Sequence, residues 1–161
     1  MDMLIIVCGL PGSGKTTLAK AVSKAVGALH LSSDRIRKEI FPDPTYSEEE
    51  KRAVYMEMAE RAKKALSEGR DVVADATFYK KWQREAFTSL TGECRTVLCT
   101  LDEENIRKRL GRRRMGGISD ADYEVYIKLR GEFEGIEGKF LEIDTLLPLK
   151  ERVRRVLEFL K

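Results

Sequence analysis

Residues 9–16 read GLPGSGKT, a full match to G-x-x-x-x-G-K-[ST]. That pattern suits a polyphosphate. Glycines let backbone N–H groups approach phosphate oxygens with no Cβ in the way. A helix that starts near Gly14 adds the positive end of its dipole. The spacing predicts an ATP-Mg²⁺ cradle in which Gly12, Ser13 and Gly14 wrap the phosphates. Lys15 bridges the β- and γ-phosphates, Thr16 places its hydroxyl on Mg²⁺, and Thr17 is expected at the α-phosphate. By average composition the full pattern arises by chance in roughly half a percent of chains this long. A strand before it and a helix after it make a plain Gly-rich turn the weaker reading.

Carboxylates and arginines further along supply the rest of a phosphoryl-transfer set. The segment SSDRIRKEI spans 32–40. A kinase acting on a hydroxyl benefits from a carboxylate that orients the nucleophile and takes its proton. Asp34 is placed for that task, and Arg37, three residues on, shares its helix face as a substrate anchor. Asp75 ends the apolar run VVADATF (72–78) and looks like a carboxylate that holds Mg²⁺ or its water shell. Arg84, on the next helix, is a candidate to face the acceptor. The stretch RKRLGRRR (107–114) has six basic residues in eight positions. Arg109 and Arg113 are one turn apart, which suits a lid that spreads charge over the moving phosphoryl group. His30, the single histidine, reads as a structural strand residue. Cys8, Cys94 and Cys99 read as thiols without a zinc or disulfide spacing. A switch GTPase needs N-K-x-D, but the sole asparagine, Asn105, precedes Ile106. No D-x-x-G occurs either.

The elements that must position these groups follow from hydrophobic periodicity. A continuous apolar run at 3–8 reads as a buried central parallel strand, and the segments at 28–32, 71–76, 94–101 and 140–144 read as further strands. Helices are predicted between them, including a long one opened by a Ser47–Glu50 capping box and closed by Gly69. Alternation of this kind makes an α/β parallel sheet with right-handed crossovers, whose ligands bind beyond the carboxyl ends of the strands. With 161 residues, one domain is expected over 1–161, with a lid near 107–120. The net charge of +3 gives no support to a dedicated nucleic-acid binder. The run at Leu4–Val7 is too short to span a membrane, and a cytoplasmic protein with no obligate protein partner is expected. Scarce amides beside abundant Lys, Arg and Glu suggest a thermophilic source.

With GLPGSGKTT, SSDRIRKEI, ALSEGRDVVADATF, RKRLGRRR and SDADYEVY in place, the chain resembles small P-loop kinases. The type is that of 5′-hydroxyl polynucleotide kinases, zeta toxins and chloramphenicol phosphotransferase. The resemblance implies a P-loop NTPase fold like that of nucleoside-monophosphate kinases, with five strands in the order 2-3-1-4-5. It implies Asp34 as general base, Arg37 as anchor for an acceptor phosphate, Asp75 as the strand-end carboxylate, Arg113 on the transferred phosphate and Arg109 over the adenine. The implied partners are ATP and a hydroxyl acceptor, either a small molecule or the 5′ end of a nucleic acid. The rival is an ATP-binding regulatory module with slow ATPase activity. The motif generates a first test: Lys15→Ala should fold but lose ATP affinity or turnover, and unchanged kinetics would remove the loop from the mechanism.

Overall fold

The computed structural model describes residues 2–112 and 120–161. Five strands, β1 (Leu4–Cys8), β2 (Leu29–Ser32), β3 (Val72–Asp75), β4 (Cys94–Thr100) and β5 (Leu141–Asp144), form one sheet. Every pairing is parallel and the order is β2-β3-β1-β4-β5, as expected. The helices are α1 (Lys15–Val26), α2 (Ser33–Ile40), α3 (Glu48–Ser67), α4 (Lys81–Thr88), α5 (Glu103–Arg112), α6 (Asp120–Glu132) and α7 (Leu149–Leu160).

The central strand explains the two-sided core. All five residues of β1 are buried. Alternation sends Leu4, Ile6 and Cys8 to a cluster with Met58, Phe78 and Phe87, while Ile5 and Val7 join Leu18, Val22 and Val156 on the opposite face. Each such aliphatic side chain stabilises the fold by about 1.5–3 kcal/mol relative to exposure. A third, smaller cluster of Ile106, Leu110 and Tyr126 ties α5 to α6 and takes Leu10 of the 9–16 loop with it.

Register sets the functional edge. Val7 pairs with Asp75, and Ser32 pairs with Asp75. The loop after β1, the carboxylate ending β3 and the start of α2 therefore sit together at the carboxyl ends of three adjacent strands. The capping of α3 departs from expectation. Ser47 Oγ accepts the Glu50 N–H at 3.1 Å, but the Glu50 carboxylate accepts instead from the Thr45 N–H at 2.7 Å and the Thr45 hydroxyl at 2.9 Å. Only half of a capping box forms, because that carboxylate is drawn toward the 41–46 loop.

Phe87 lies on α4 with its ring edge-on to Phe78, centroids 5.1 Å apart, and it is fully buried. Phe87→Ala should cost about 3–5 kcal/mol, read as a fall in the urea midpoint. A loss below about 1 kcal/mol would show that this face collapses around the void.

Candidate active site

The 9–16 loop ends in a helix that has no side-chain cap. Gly14 occupies the cap position at φ 88°, and Gly12 lies at φ 81°, both in the left-handed region that favours glycine. The first bond of α1 runs from the Leu18 N–H to the Gly14 carbonyl at 3.4 Å. Among the described residues, the N–H groups of Gly12, Gly14, Lys15, Thr16 and Thr17 have no protein acceptor. Five unfilled donors at a helix N-terminus make an anion cradle, with a cation, Lys15, beside them. Ser13 plays a different part. Its N–H donates to the Leu10 carbonyl at 3.1 Å, and its hydroxyl is buried without a partner.

The loop is held from below and from the side. The Gly9 N–H donates to the Thr77 carbonyl at 3.3 Å. Thr145, just past β5, donates its hydroxyl to the Ser13 carbonyl at 2.6 Å. Arg109 on α5 donates to the Thr145 hydroxyl at 3.3 Å and to its carbonyl at 3.1 Å. A Cβ on Gly14 would collide with Arg109 Nη1, and one on Gly12 would press on Leu110 at 3.3 Å. Both glycines therefore serve close approach of α5 as well as backbone conformation.

A cavity of about 430 Å³ opens beside the loop. Thr16, His30, Ser32 and Asp34 share its wall. Asp34, 71 % exposed, has one oxygen 3.5 Å from Arg37 Nη1, so its carboxylate is free to meet a ligand. Asp75 is 2 % exposed, and its Oδ2 lies 3.1 Å from His30 Nε2. The other oxygen, Oδ1, has no protein donor among the described residues. Among the described residues no three His, Cys, Asp or Glu side chains converge on one point. A Mg²⁺ ion here would be held as that ion usually is, by one carboxylate, a hydroxyl, water and substrate oxygens. Asp75, Thr16 and the cradle fit that role.

The matching family model, described as an AAA domain, spans residues 4–136. The chain belongs to the AAA_33 family. Its sequence is 29% identical over 138 residues to the uncharacterized protein Rv2004c of Mycobacterium tuberculosis, a match that covers 76% of this chain and 28% of that protein. The chain thus spans little more than a quarter of the length of these mycobacterial relatives. A sugar kinase from Janibacter superposes with a TM-score of 0.79 at 18% identity, covering 99% of this chain and 95% of the other. A gluconokinase from Sinorhizobium meliloti gives 0.76 at 22% identity, covering 99% and 91%. At such identities the likeness establishes the P-loop kinase fold.

Within this AAA_33 domain the remaining predicted residues divide. Arg37 shares a face with Asp34 but is nearly buried. Its Nε sits 3.4 Å from Glu50 Oε1, and its guanidinium lies 4.8 Å from the centre of the Tyr46 ring. Arg84 does not reach the cavity. Its guanidinium donates to the carbonyls of Phe78 at 2.6 Å, Glu134 at 2.8 Å and Gly135 at 3.0 Å. The expectation that it faces the acceptor gives way to a structural role. It clamps the turn after Asp75, where the buried Phe78 holds φ 50° and donates its N–H to the Tyr55 hydroxyl at 3.0 Å. Arg109 lies against Gly14 and Thr145. Arg113, with residues 113–119 of the predicted lid, falls outside the described residues. His30 was read from sequence as structural, and the structure puts it on the cavity wall bonded to Asp75. Its position two residues before Ser32, which pairs with Asp75, was the available signal. Burial pushes the thiols of Cys8 and Cys99 up to about 12, and that of Cys94 to about 11. All three stay protonated near neutrality.

Burial alone would raise the Glu50 carboxyl. The Thr45 hydrogen bonds and the Arg37 charge outweigh it and hold the group below its ordinary value. A depressed carboxylate contributes stability that is present above its unfolded value and is lost as pH falls through the folded one. Glu50→Gln should therefore lower the urea midpoint at pH 7. The gap to the parent should close as pH drops below the ordinary 4.5. A gap independent of pH would show that Glu50 acts through packing alone.

Proposed function

We propose that the chain is an ATP-dependent kinase that moves the γ-phosphoryl group onto an alcohol. The observation that carries the reading is the shared wall of the 430 Å³ cavity: the helix-start threonine Thr16 and the exposed carboxylate Asp34 border one space of ligand size. The AAA_33 membership and the kinase fold of the structural neighbours support it.

The chemistry follows from the placement. The acceptor lies in the cavity with its hydroxyl against Asp34 and in line with the terminal phosphate held by the loop. Asp34 orients the O–H and receives its proton as the new O–P bond forms and the bond to the β-phosphate oxygen breaks. Phosphoryl transfer is largely dissociative, so most of the benefit is positioning and charge stabilisation, with proton transfer late. The free amides at Gly14–Thr17 and the Lys15 ammonium take up the charge on the phosphate oxygens. Mg²⁺, when bound, would neutralise charge between the β- and γ-phosphates. Thr16 and the free Asp75 oxygen are the residues that would hold it. Arg113 from the lid is proposed to close over the transferred group. The resemblance to polynucleotide kinases keeps a 5′-hydroxyl end among the acceptors worth trying.

Asp34→Ala should leave nucleotide binding within about twofold and cut acceptor-dependent ATP consumption by roughly 10²-fold or more. ATP hydrolysis that is equal with and without every alcohol tried, and equal in the variant, would favour a regulatory ATPase instead.

A further inference from the structure

The wall of the Asp34 cavity carries more charge than the transfer itself uses. Lys20 on α1 and Arg35 and Lys38 on α2 line it, together with Glu39. Both carboxylates on the wall have a cation from outside it. Glu39 Oε2 lies 2.8 Å from Arg61 Nη1, and Asp34 lies 3.5 Å from Arg37 Nη1. Among the described residues the three wall cations have no carboxylate within ion-pairing distance.

Folding does not account for this arrangement. Arg35 sits in the first turn of α2, where the helix dipole disfavours a cation by a few tenths of a kcal/mol. Arg35 and Lys38 are three residues apart on one helix face, a like-charge pair that costs a similar amount. On α7, by contrast, the exposed cations Arg154 and Arg155 are paired with Glu151. The nucleotide does not account for it either. Its phosphates belong to the amides at Gly12–Thr17, whereas Arg35 and Lys38 stand beyond Asp34 on another helix.

We infer that the acceptor is a compact anionic alcohol, a hydroxy acid or a small phosphorylated alcohol, whose charged group is read by Lys20, Arg35 and Lys38 while its hydroxyl meets Asp34. This rests on the kinase reading above and gives it a substrate class. A cavity of about 430 Å³ admits a sugar acid or a single nucleotide and lies in the usual range for small-molecule sites. Arg37 is not the reader of this charge, because Glu50 and Tyr46 already enclose it.

Matched acceptors test the inference: D-gluconate against sorbitol, glycerate against glycerol, a nucleoside 3′-monophosphate against its nucleoside, and a 5′-hydroxyl oligonucleotide. ADP formation is followed at saturating ATP. The expected result is that an anionic member is used with kcat/KM roughly tenfold or more above its neutral partner. Arg35→Gln/Lys38→Gln should raise KM for that anionic acceptor about tenfold, with kcat and the KM for ATP changed less than about twofold. Lys63→Gln/Lys64→Gln, which removes the same charge from the exposed face of α3, should change neither. Neutral partners used equally well, a double variant that keeps the anionic preference, or turnover with the oligonucleotide alone would overturn the inference. In each of those cases acceptor-dependent turnover that is lost in Asp34→Ala leaves the kinase reading standing. Failure of every probe to stimulate ATP use overturns both.

Discussion

The amides that open α1 have no protein acceptors among the described residues, and the rest of the molecule is arranged around that fact. Five N–H groups left empty at a helix start are costly to bury and inexpensive to fill with an anion. A side-chain cap would satisfy one of them and block the approach, so Gly14 stands where a serine or aspartate would otherwise be favoured. The loop then needs outside support. It comes from three directions: Thr77 beneath Gly9, Thr145 against the Ser13 carbonyl, and α5 pressed on Gly12 and Gly14. Thr145 links two of them, because its hydroxyl donates to the loop and accepts from Arg109. A movement of α5 is thus felt at the phosphate cradle through one shared side chain.

The same logic reaches the carboxylates. Parallel register places Val7, Asp75 and Ser32 side by side. A strand-end aspartate buried at 2 % exposure needs a polar partner. His30 supplies one to Oδ2 and leaves Oδ1 open. The histidine thereby fixes which carboxylate oxygen faces outward, and a metal or its water shell would find that oxygen already oriented. On the far side of the same turn, Arg84 ties the carbonyls of Phe78, Glu134 and Gly135. It holds a left-handed phenylalanine in place at a junction where such strain is usually tied to function.

Much of this was legible in the sequence, and the remainder failed for physical reasons. The parallel alternation, the cradle and the shared edge of Asp34 and Asp75 follow from local runs, a motif and the handedness of crossovers, whereas the strand order came from the resemblance to small P-loop kinases. Arg84 was misread because its partners Glu134 and Gly135 lie about fifty residues away, and a side chain's direction is decided by contacts that periodicity does not encode. Glu50 was read as closing a capping box; the bend at 41–46 brings Thr45 nearer to its carboxylate than the Ser47 N–H. His30 was read as a structural strand residue, and the sequence alone did not name its partner. Its role came from a cross-strand neighbour forty-five positions on.

Charge pairing offers a way to separate what the fold needs from what a ligand needs. Exposed ion pairs such as Arg154 with Glu151 and Glu158 each contribute little to stability, yet they neutralise their surroundings. Along α2 the pattern inverts. The carboxylates are paired from behind, by Arg37 and Arg61, while the cations line the cavity with no ion pair among the described residues. Pairing Glu39 and Asp34 from outside prevents them from cancelling Lys38 and Arg35, and it keeps the field on the wall positive. A surface selected for solubility alone has no reason to sort its charges by which side of a helix they face. A site that must draw in an anion, and hold it while a second anion is delivered from the loop, has such a reason, because like charges brought close together need counter-charge already in position.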